Sequence, residues 1–365
     1  MPAKIPATVV TGFLGAGKTT LIRHLIENAN GRRIALIINE FGDLGVDGEI
    51  LKGCGIEGCN DDDVVELSNG CICCTVAEDF LPAIQKLIDR ENAPDHIVIE
   101  TSGLALPQPL VRAFNWPDIR TRVTVDGVVA VIDGPAVADG QFAADVAAVD
   151  RQRAADDGLD HETPLSELFE DQLACADMVV VNKSDLLDDA AVLTANIKGR
   201  VRDGVSVINA AMGAVDPAVL LGLGVAAEDD LDARHEVHHH HHHHDHDEDH
   251  HDHDEDHHDD GHHHHHEHEH GHDEFESFVV DLPEVADGAA LTAKVKEVIA
   301  AHNLLRVKGF AAISGKPMRM VLQAVGPRID THFDRPFGSD PRGTRLVVIG
   351  LAGLDQDKIS AELAA

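Results

Sequence analysis

The sequence has little positive charge, and this scarcity excludes two classes of partner. Its 29 Lys and Arg residues are outnumbered by 65 Asp and Glu residues, and the formal net charge is −36. Proteins that bind nucleic acids carry a basic surface, and attraction to anionic membranes needs basic residues as well. We therefore expect neither a nucleic acid nor a membrane among its partners.

Long apolar runs and a secretory leader are also missing. No run approaches the ~20 apolar residues that a membrane span requires. The first ten residues, MPAKIPATVV, lead directly into a glycine-rich motif that cleavage would destroy. We therefore expect a cytoplasmic protein, in which six cysteines are thiols or metal ligands rather than disulfides.

Short apolar runs alternate with helical patterns in the first part of the chain. Such runs are typical of strands covered on both faces, and the alternation predicts α/β architecture with a mainly parallel sheet. We expect the three-layer fold of P-loop NTPases over residues 1–227. The predicted strands cover residues 5–11, 34–39, 96–100, 128–133 and 178–182, and predicted helices follow Lys18 and cover residues 80–90 and 165–174.

The composition changes sharply near residue 228. From His238 to His272 the chain has 21 histidines, 12 acidic residues and two glycines. Such a segment cannot bury enough surface to offset the entropy of ordering, so we predict a disordered linker over residues 228–274. Strand and helix patterns resume at Phe275 and predict a small α+β domain over residues 275–365. Its predicted strands cover residues 275–282, 304–314, 318–325 and 344–350, with helices at 289–302 and 355–363.

Residues 12–19, GFLGAGKT, match the phosphate-binding pattern G-x-x-x-x-G-K-[ST]. Glycines allow backbone N–H groups to converge on phosphates, and the following helix adds its dipole. Lys18 is expected to reach the β- and γ-phosphates, and Thr19 to bind Mg²⁺. A chance glycine-rich turn is the alternative, but this motif follows a predicted strand and opens a helix. The predicted nucleotide-binding residues here are Gly12, Gly15, Ala16, Gly17, Lys18, Thr19 and Thr20.

A second motif, NKSD at residues 182–185, lies at the end of the strand MVVVN. Asp185 can accept hydrogen bonds from both N1 and N2 of guanine, whereas adenine offers no such pair of donors. The alternative is a helix cap supplied by Ser184 or Asp185. In a chain with a P-loop, the motif favours GTP, with Asn182, Lys183 and Asp185 at the base.

Carboxylates follow two other predicted strands, in NEFGD at residues 39–43 and ETSG at residues 100–103. Strand ends at one edge of a parallel sheet converge on the ligand, so these loops are expected to sense the γ-phosphate or Mg²⁺. Asp43 and Asp47 are further candidates, and each carboxylate could instead be a solvated loop residue. We predict Lys18, Glu100 and Asp47 as the catalytic residues of slow GTP hydrolysis to GDP and phosphate.

Three cysteines, Cys71, Cys73 and Cys74, lie within four residues of sequence, directly after the strand-like run VVELSNG. Their thiolates can chelate Zn²⁺, Co²⁺, Ni²⁺ or Cu⁺. Structural zinc sites generally take four ligands from two separated pairs, so three ligands from one loop indicate an exchangeable position. The alternatives are a redox pair or a set of buried small hydrophobic residues.

Other metal ligands are less specific. Cys54 and Cys59 could form a second site or extend the first, whereas Cys175 lies in an apolar helical stretch and is expected in the core. The histidine tract should bind metals. It is either a solvated linker or a reservoir that raises the metal concentration near the thiols.

The motifs GFLGAGKTT, NEFG, GCICC, ETSGLA and NKSD occur in the order found in the CobW-like family of P-loop GTPases, which this chain resembles. The resemblance is close in the GTPase half and looser in the C-terminal part. The stretch from Cys54 to Phe80 and the histidine tract resemble the branch associated with cobalamin biosynthesis. The family resemblance implies a GTP-dependent metallochaperone with Cys71, Cys73 and Cys74 as metal ligands, joined in some members by Glu40. It also implies delivery of Co²⁺ to the cobaltochelatase of corrin-ring synthesis.

We therefore expect Mg²⁺–GTP to close the two acidic loops and order the thiol loop, and hydrolysis to release metal to cobaltochelatase or another metalloenzyme. Nucleotide-dependent self-association is a further expectation. Zn²⁺ binds most N/S sites more tightly than Co²⁺, so a zinc chaperone or zinc-allocating GTPase is the alternative. A metal-buffering protein with a vestigial GTPase and a nickel-insertion GTPase are the others. The GCICC motif disfavours the nickel enzyme.

Overall fold

The computed structural model describes residues 4–39, 64–67, 80–155, 164–229, 275–326, 328–337 and 342–365. The predictions for Glu40, Asp43 and Asp47 lie outside these ranges, as do those for the histidine tract and for the cysteines at positions 54, 59, 71, 73 and 74. Among the helices within these ranges, none combines the length and the apolar character that a membrane crossing demands.

The N-terminal part is built on a parallel sheet of seven strands. The strands are β1 (Ile5–Thr11), β2 (Ile34–Asn39), β3 (Val64–Leu67), β4 (His96–Glu100), β5 (Val123–Asp133), β6 (Met178–Asn182) and β7 (Ser206–Ala210). Their order across the sheet is β3-β2-β4-β1-β5-β6-β7, and every pairing is parallel. The carboxyl ends of all seven strands therefore meet at one edge.

Helices cover both faces of this sheet, as the alternation of core residues along β5 demonstrates. Val129 and Val131 belong to one apolar cluster, and Ala130 and Ile132 belong to another. The helices are α1 (Lys18–Glu27), α2 (Leu81–Ile88), α3 (Pro107–Ala113), α4 (Gly134–Ala138), α5 (Val146–Ala155), α6 (Leu165–Cys175), α7 (Ala190–Lys198) and α8 (Pro217–Leu220). Short 3₁₀ turns lie at Ser184–Leu186 and Ala227–Asp229. This confirms the predicted three-layer P-loop architecture.

Two features of the sheet differ from the sequence prediction. Strand β5 begins at Val123, five residues before the predicted start at 128, because Asp126 interrupts the apolar run although its side chain is buried. Strand β7 was not predicted, since SVINA is short and only alternately buried.

The C-terminal part is an antiparallel sheet with two helices on it. Its strands are β8 (Phe275–Leu282), β9 (Arg306–Ala312), β10 (Met318–Val325), β11 (Arg328–Pro336) and β12 (Thr344–Leu351), in the order β11-β10-β9-β12-β8. Helices α9 (Gly288–His302) and α10 (Gln356–Ala364) share its apolar core. The α+β prediction is confirmed, but β11 was missed because this edge strand is exposed along most of its length.

The two sheets are joined by a buried arginine, by apolar contacts and by an ion pair between Arg328 and Asp177. Arg306, which begins β9, is only 4% exposed. Its Nη1 donates to the carbonyl oxygens of Ala218 at 2.9 Å and Leu221 at 2.6 Å. Three buried apolar residues of the C-terminal part belong to the N-terminal core cluster: Leu305, Val325 and Ile349. The partly buried Phe275 and Val347 pack against it.

Residues 222–229, which we call the belt, run from this interface along the beginning of β5. The Asp126 carboxylate accepts backbone N–H bonds from Gly222, from Leu223 at 2.9 Å and from Gly224 at 2.7 Å. The Glu228 carboxylate accepts from Val125 N at 2.8 Å. The buried acids therefore bind the belt to the sheet.

His96 completes this buried polar group. Its Nε2 lies 2.8 Å from Thr8 Oγ1 and 3.9 Å from Asp126 Oδ2. Burial lowers the pKa of His96, and the nearby Asp126 carboxylate opposes that shift.

Candidate functional site

The loop between β1 and α1 approaches its neighbours so closely that two glycines are required. Gly12 has φ +138°, and a Cβ there would lie 2.0 Å from the carbonyl oxygen of Val131. Gly17 has φ +98°, and a Cβ there would lie 2.1 Å from Asn182 Nδ2. An L side chain at either position would be strained and would collide with its neighbour. The strand–loop–helix placement predicted for this motif is thus present.

The loop brings Lys18 and Thr19 next to Glu100, which ends β4. Thr19 Oγ1 donates to Glu100 Oε1 at 3.2 Å, and Lys18 Nζ lies 4.0 Å from the same oxygen. Lys18 Nζ also donates to the carbonyl oxygen of Phe13 at 3.4 Å. Lys18 and Glu100 are 7% and 6% exposed. A lysine, a hydroxyl and a carboxylate therefore share one small, nearly dry site.

The oxygen donors of Thr19 and Glu100 fit Mg²⁺, which binds hard oxygen ligands and substrate phosphates. When bound, Mg²⁺ would neutralise charge on the β- and γ-phosphates. The predicted role of Lys18 is to balance phosphate charge at the same place, where its Nζ lies 4.0 Å from Glu100 Oε1.

Asn182 links the phosphate loop to the loop after β7. Its Nδ2 donates to the carbonyl oxygen of Ala16 at 2.8 Å, and its Oδ1 accepts from Gly213 N at 2.9 Å. The side chain is buried and both of its ends are bonded to backbone. Its position in this structure is that of a brace, and its predicted contact with guanine stays a prediction.

In the rest of the NKSD segment, the side chains of Lys183 and Ser184 are hydrogen-bonded within the protein, whereas the Asp185 carboxylate is exposed to solvent. Lys183, at φ +58°, donates to Asp133 Oδ2 at 2.6 Å, and Asp133 is almost fully buried at the end of β5. Ser184 Oγ donates to the carbonyl oxygen of Ala210 at 3.0 Å. Asp185 is exposed, and no side chain caps the turn that follows Lys183. The helix-capping alternative is therefore wrong for Ser184 and Asp185.

The ETSG segment lies against the phosphate loop. A Cβ on Gly103 would be 2.7 Å from Leu14 N. Gln172 of α6 donates through Nε2 to the carbonyl oxygens of Gly103 at 3.1 Å and Ala105 at 3.3 Å. Because it is held from both sides, this segment adjoins the site that the phosphate loop defines.

Several of these residues were missed in the sequence. Asp133 ends the strand VVAVID at the edge where ligands bind, and that placement was a usable signal. Gln172 and Gly213 act through backbone contacts that no local pattern announces. Leu186, next to Asp185 in sequence, and Met212, next to the Gly213 that Asn182 holds, are 67% and 76% exposed.

The predicted thiol ligands lie outside the described residues, but the remaining cysteine prediction can be checked. Cys175 is fully buried in the larger core cluster, which confirms its predicted role there. In the part of the chain that the structure covers, no three His, Cys, Asp or Glu side chains come together to hold a metal.

A parallel sheet with a glycine loop after its central strand, a lysine and threonine opening the next helix, and an acid on the neighbouring strand defines a P-loop nucleotide-binding protein. Residues 6–209 match the family model described as CobW/HypB/UreG, nucleotide-binding domain. Residues 275–365 match the model described as the cobalamin synthesis protein cobW C-terminal domain. The chain belongs to the CobW/HypB/UreG family and is a GTPase.

Curated relatives cover almost the whole chain. A protein of Sinorhizobium sp named zinc chaperone CobW is 56% identical over 99% of this chain and 97% of its own length. A Pseudomonas aeruginosa protein of the same name is 53% identical over 99% of this chain and 91% of its own. Zinc chaperone YjiA of Escherichia coli is 27% identical over 99% of this chain and 98% of its own.

Proposed function

We propose that this GTPase carries Zn²⁺ on its cysteine motif and passes the metal to a recipient metalloenzyme in the cytoplasm. The observation that carries the proposal is the course of the chain around β3. This strand pairs in parallel with β2, with Leu67 opposite Asn39, so both end at the nucleotide edge of the sheet. Cys71 follows the carboxyl end of β3 by four residues. The strand that precedes the thiol motif in sequence therefore ends at the same edge of the sheet as β1, the strand that precedes the phosphate loop.

The choice of zinc is supported by chemistry and by the relatives. Three thiolates suit Zn²⁺, which precedes Co²⁺ in affinity at such sites. Two relatives that are 56% and 53% identical to this chain over the aligned residues are named zinc chaperones. Delivery of Co²⁺ to cobaltochelatase is the second candidate, and the description of the matching C-terminal family, a cobalamin synthesis domain, favours it.

The coupling that we propose uses residues already in contact. Thr19 and Glu100 are hydrogen-bonded to each other, and Mg²⁺ binding would make both oxygens turn to the metal. The segment that follows Glu100 then responds to the presence of the γ-phosphate. Glu40, which directly follows β2 in sequence, would transmit the same response to the thiol motif. Loss of the γ-phosphate reverses these contacts and weakens metal binding.

The test is a competition titration of Zn²⁺ against a chromophoric chelator, with the protein loaded with Mg²⁺–GTP analogue or with Mg²⁺–GDP. A contribution of the histidine tract that is the same in both states cancels in the difference between them, and that difference is the readout. We expect tighter binding in the GTP state, abolished by Cys71→Ser/Cys73→Ser/Cys74→Ser and retained by Cys175→Ala. Equal affinity in both states would refute the coupling.

A parallel titration with Co²⁺ separates the two candidate metals. The nucleotide-dependent difference should be larger for the ion that the protein delivers. If only Co²⁺ shows it, the cobalt candidate replaces zinc.

A further inference from the structure

The position after the ETSG segment offers nothing polar to a water molecule. It is occupied by Leu104, which is fully buried in the apolar cluster that also holds Phe13. GTP hydrolysis requires a group that orients the attacking water, and in Ras-type enzymes this group is a glutamine. Lys18, Thr19 and Glu100 lie together where phosphate and Mg²⁺ would bind, and Asp47 is outside the described residues. Among the described residues, the orienting role is therefore left to another side chain.

Two glutamine side chains reach the ETSG segment from different helices. Gln172 of α6 uses its Nε2 to hold the carbonyl oxygens of Gly103 and Ala105, so it anchors the backbone. Gln152 of α5 approaches Gly103 with its oxygen: a Cβ on Gly103 would lie 3.2 Å from Gln152 Oε1. The same Cβ would lie 2.7 Å from Leu14 N in the phosphate loop.

The Gln152 oxygen is also unused. It is buried and has no hydrogen-bond partner among the residues that the structure describes. A buried acceptor without a partner is unfavourable, and such an atom next to a nucleotide site indicates a ligand or a water that completes it. Helix α5 is held in place by Val149, which packs in the cluster of Phe13 and Leu104. The carboxamide oxygen is therefore presented to the site by a fixed element.

We propose that Gln152 orients the attacking water for GTP hydrolysis by accepting a hydrogen bond from it. The water oxygen bonds to the γ-phosphorus while the bond from that phosphorus to the β,γ-bridging oxygen breaks, and the electron pair leaves with GDP. The water proton passes to the released phosphate or to solvent, and Gln152 stays neutral throughout. This inference rests on the GTPase reaction and is independent of metal delivery.

The test uses Gln152→Leu, which removes the acceptor and keeps the size, and Gln152→Glu, which keeps an acceptor oxygen at the same reach. Arg151→Gln is the matched control, since Arg151 is an exposed neighbour on the same helix that pairs with Asp145. Each full-length variant is assayed for kcat with Mg²⁺–GTP, for affinity toward a fluorescent non-hydrolysable GTP analogue and toward GDP–aluminium fluoride, and for its thermal midpoint.

We expect Gln152→Leu to lower kcat on the order of 100-fold and to weaken GDP–aluminium fluoride binding to a similar extent. Affinity for the GTP analogue and the thermal midpoint should not change. Gln152→Glu should recover activity relative to Gln152→Leu, and Arg151→Gln should match the parent. A wild-type kcat in Gln152→Leu would overturn the proposal. So would a fall in kcat accompanied by an equal loss of analogue affinity or of stability, which would assign Gln152 to binding or folding.

Discussion

Replacing the Asn182 side chain tests whether this residue holds the phosphate loop in its shape. Its amide joins Ala16 O to Gly213 N through bonds of 2.8 and 2.9 Å. Asn182→Ala deletes both bonds and leaves a carbonyl oxygen and an N–H group without a partner in a buried place. The side chain also fills the space beside Gly17, where a Cβ would be only 2.1 Å from Asn182 Nδ2.

The magnitude follows from these two bonds. A net hydrogen bond contributes about 1 kcal/mol, and a buried polar group left unpaired costs about 1–3 kcal/mol. Two groups left unpaired therefore lower the free energy of unfolding by roughly 2–6 kcal/mol. If the substitution destabilises the GDP-bound state by about 1.4 kcal/mol more than the free state, the affinity for GDP drops about tenfold.

The assay combines urea unfolding with calorimetric titration of Mg²⁺–GDP. Asn115→Ala is the matched control, because Asn115 Nδ2 also donates to a backbone oxygen, that of Glu228 at 2.6 Å, but Glu228 lies in the belt. Asn115→Ala should lose stability and keep its GDP affinity, whereas Asn182→Ala should lose both. If Asn182→Ala binds GDP as tightly as the parent, the bracing role assigned to Asn182 is wrong.

Three further predictions concern charged groups. Lys183→Met leaves the buried Asp133 carboxylate with the Ala136 N–H bond but without its ion-pair partner. The free energy of unfolding in urea should therefore fall by about 1–3 kcal/mol, and Asp133→Asn in the same chain should restore part of it. Burial lowers the pKa of His96 below its ordinary 6.5; the unfolded chain then binds the proton first, so stability should fall as the pH drops below about 6.5. His96→Gln should flatten that dependence relative to the parent, and an unchanged slope would contradict it. Asp185→Asn should lose GTP affinity and gain affinity for XTP, whose base offers an oxygen where guanine has an amino group; unaltered GTP binding in competition assays would remove Asp185 from the base site.

Local pattern sufficed wherever the sheet is buried on both faces. The runs IALIIN and MVVVN are short and nearly all apolar, as expected for strands covered on both faces, and both are strands. Pattern failed where burial depends on distant partners: Asp126 sits inside β5 because three backbone N–H groups of the belt surround its carboxylate. It failed at β11 for the opposite reason, since an exposed edge strand carries no apolar alternation.

The site divides in the same way. Each of the motifs GFLGAGKT and NKSD consists of consecutive residues, so the sequence alone predicted a phosphate loop and a carboxylate that recognises the base. Gln152 lies on a helix of mixed composition, far in sequence from Gly103, and only the fold brings its oxygen to that segment. Sequence motifs thus identify the binding groups, while the groups that brace or complete them emerge from tertiary contacts.

The buried guanidinium of Arg306 determines how long a segment must be exchanged when a chimera of this protein is made. The carbonyl oxygens that accept from Arg306, those of Ala218 and Leu221, precede the belt in sequence. In a chimera joined between the belt and β8, the foreign C-terminal part would have to supply a donor for both of these oxygens. A grafted domain without an arginine at that place would leave both oxygens and an apolar patch uncovered. A functional chimera would therefore exchange the segment from α8 to the end of the belt together with the C-terminal sheet. The segment that must be exchanged as one piece is longer than the C-terminal domain itself.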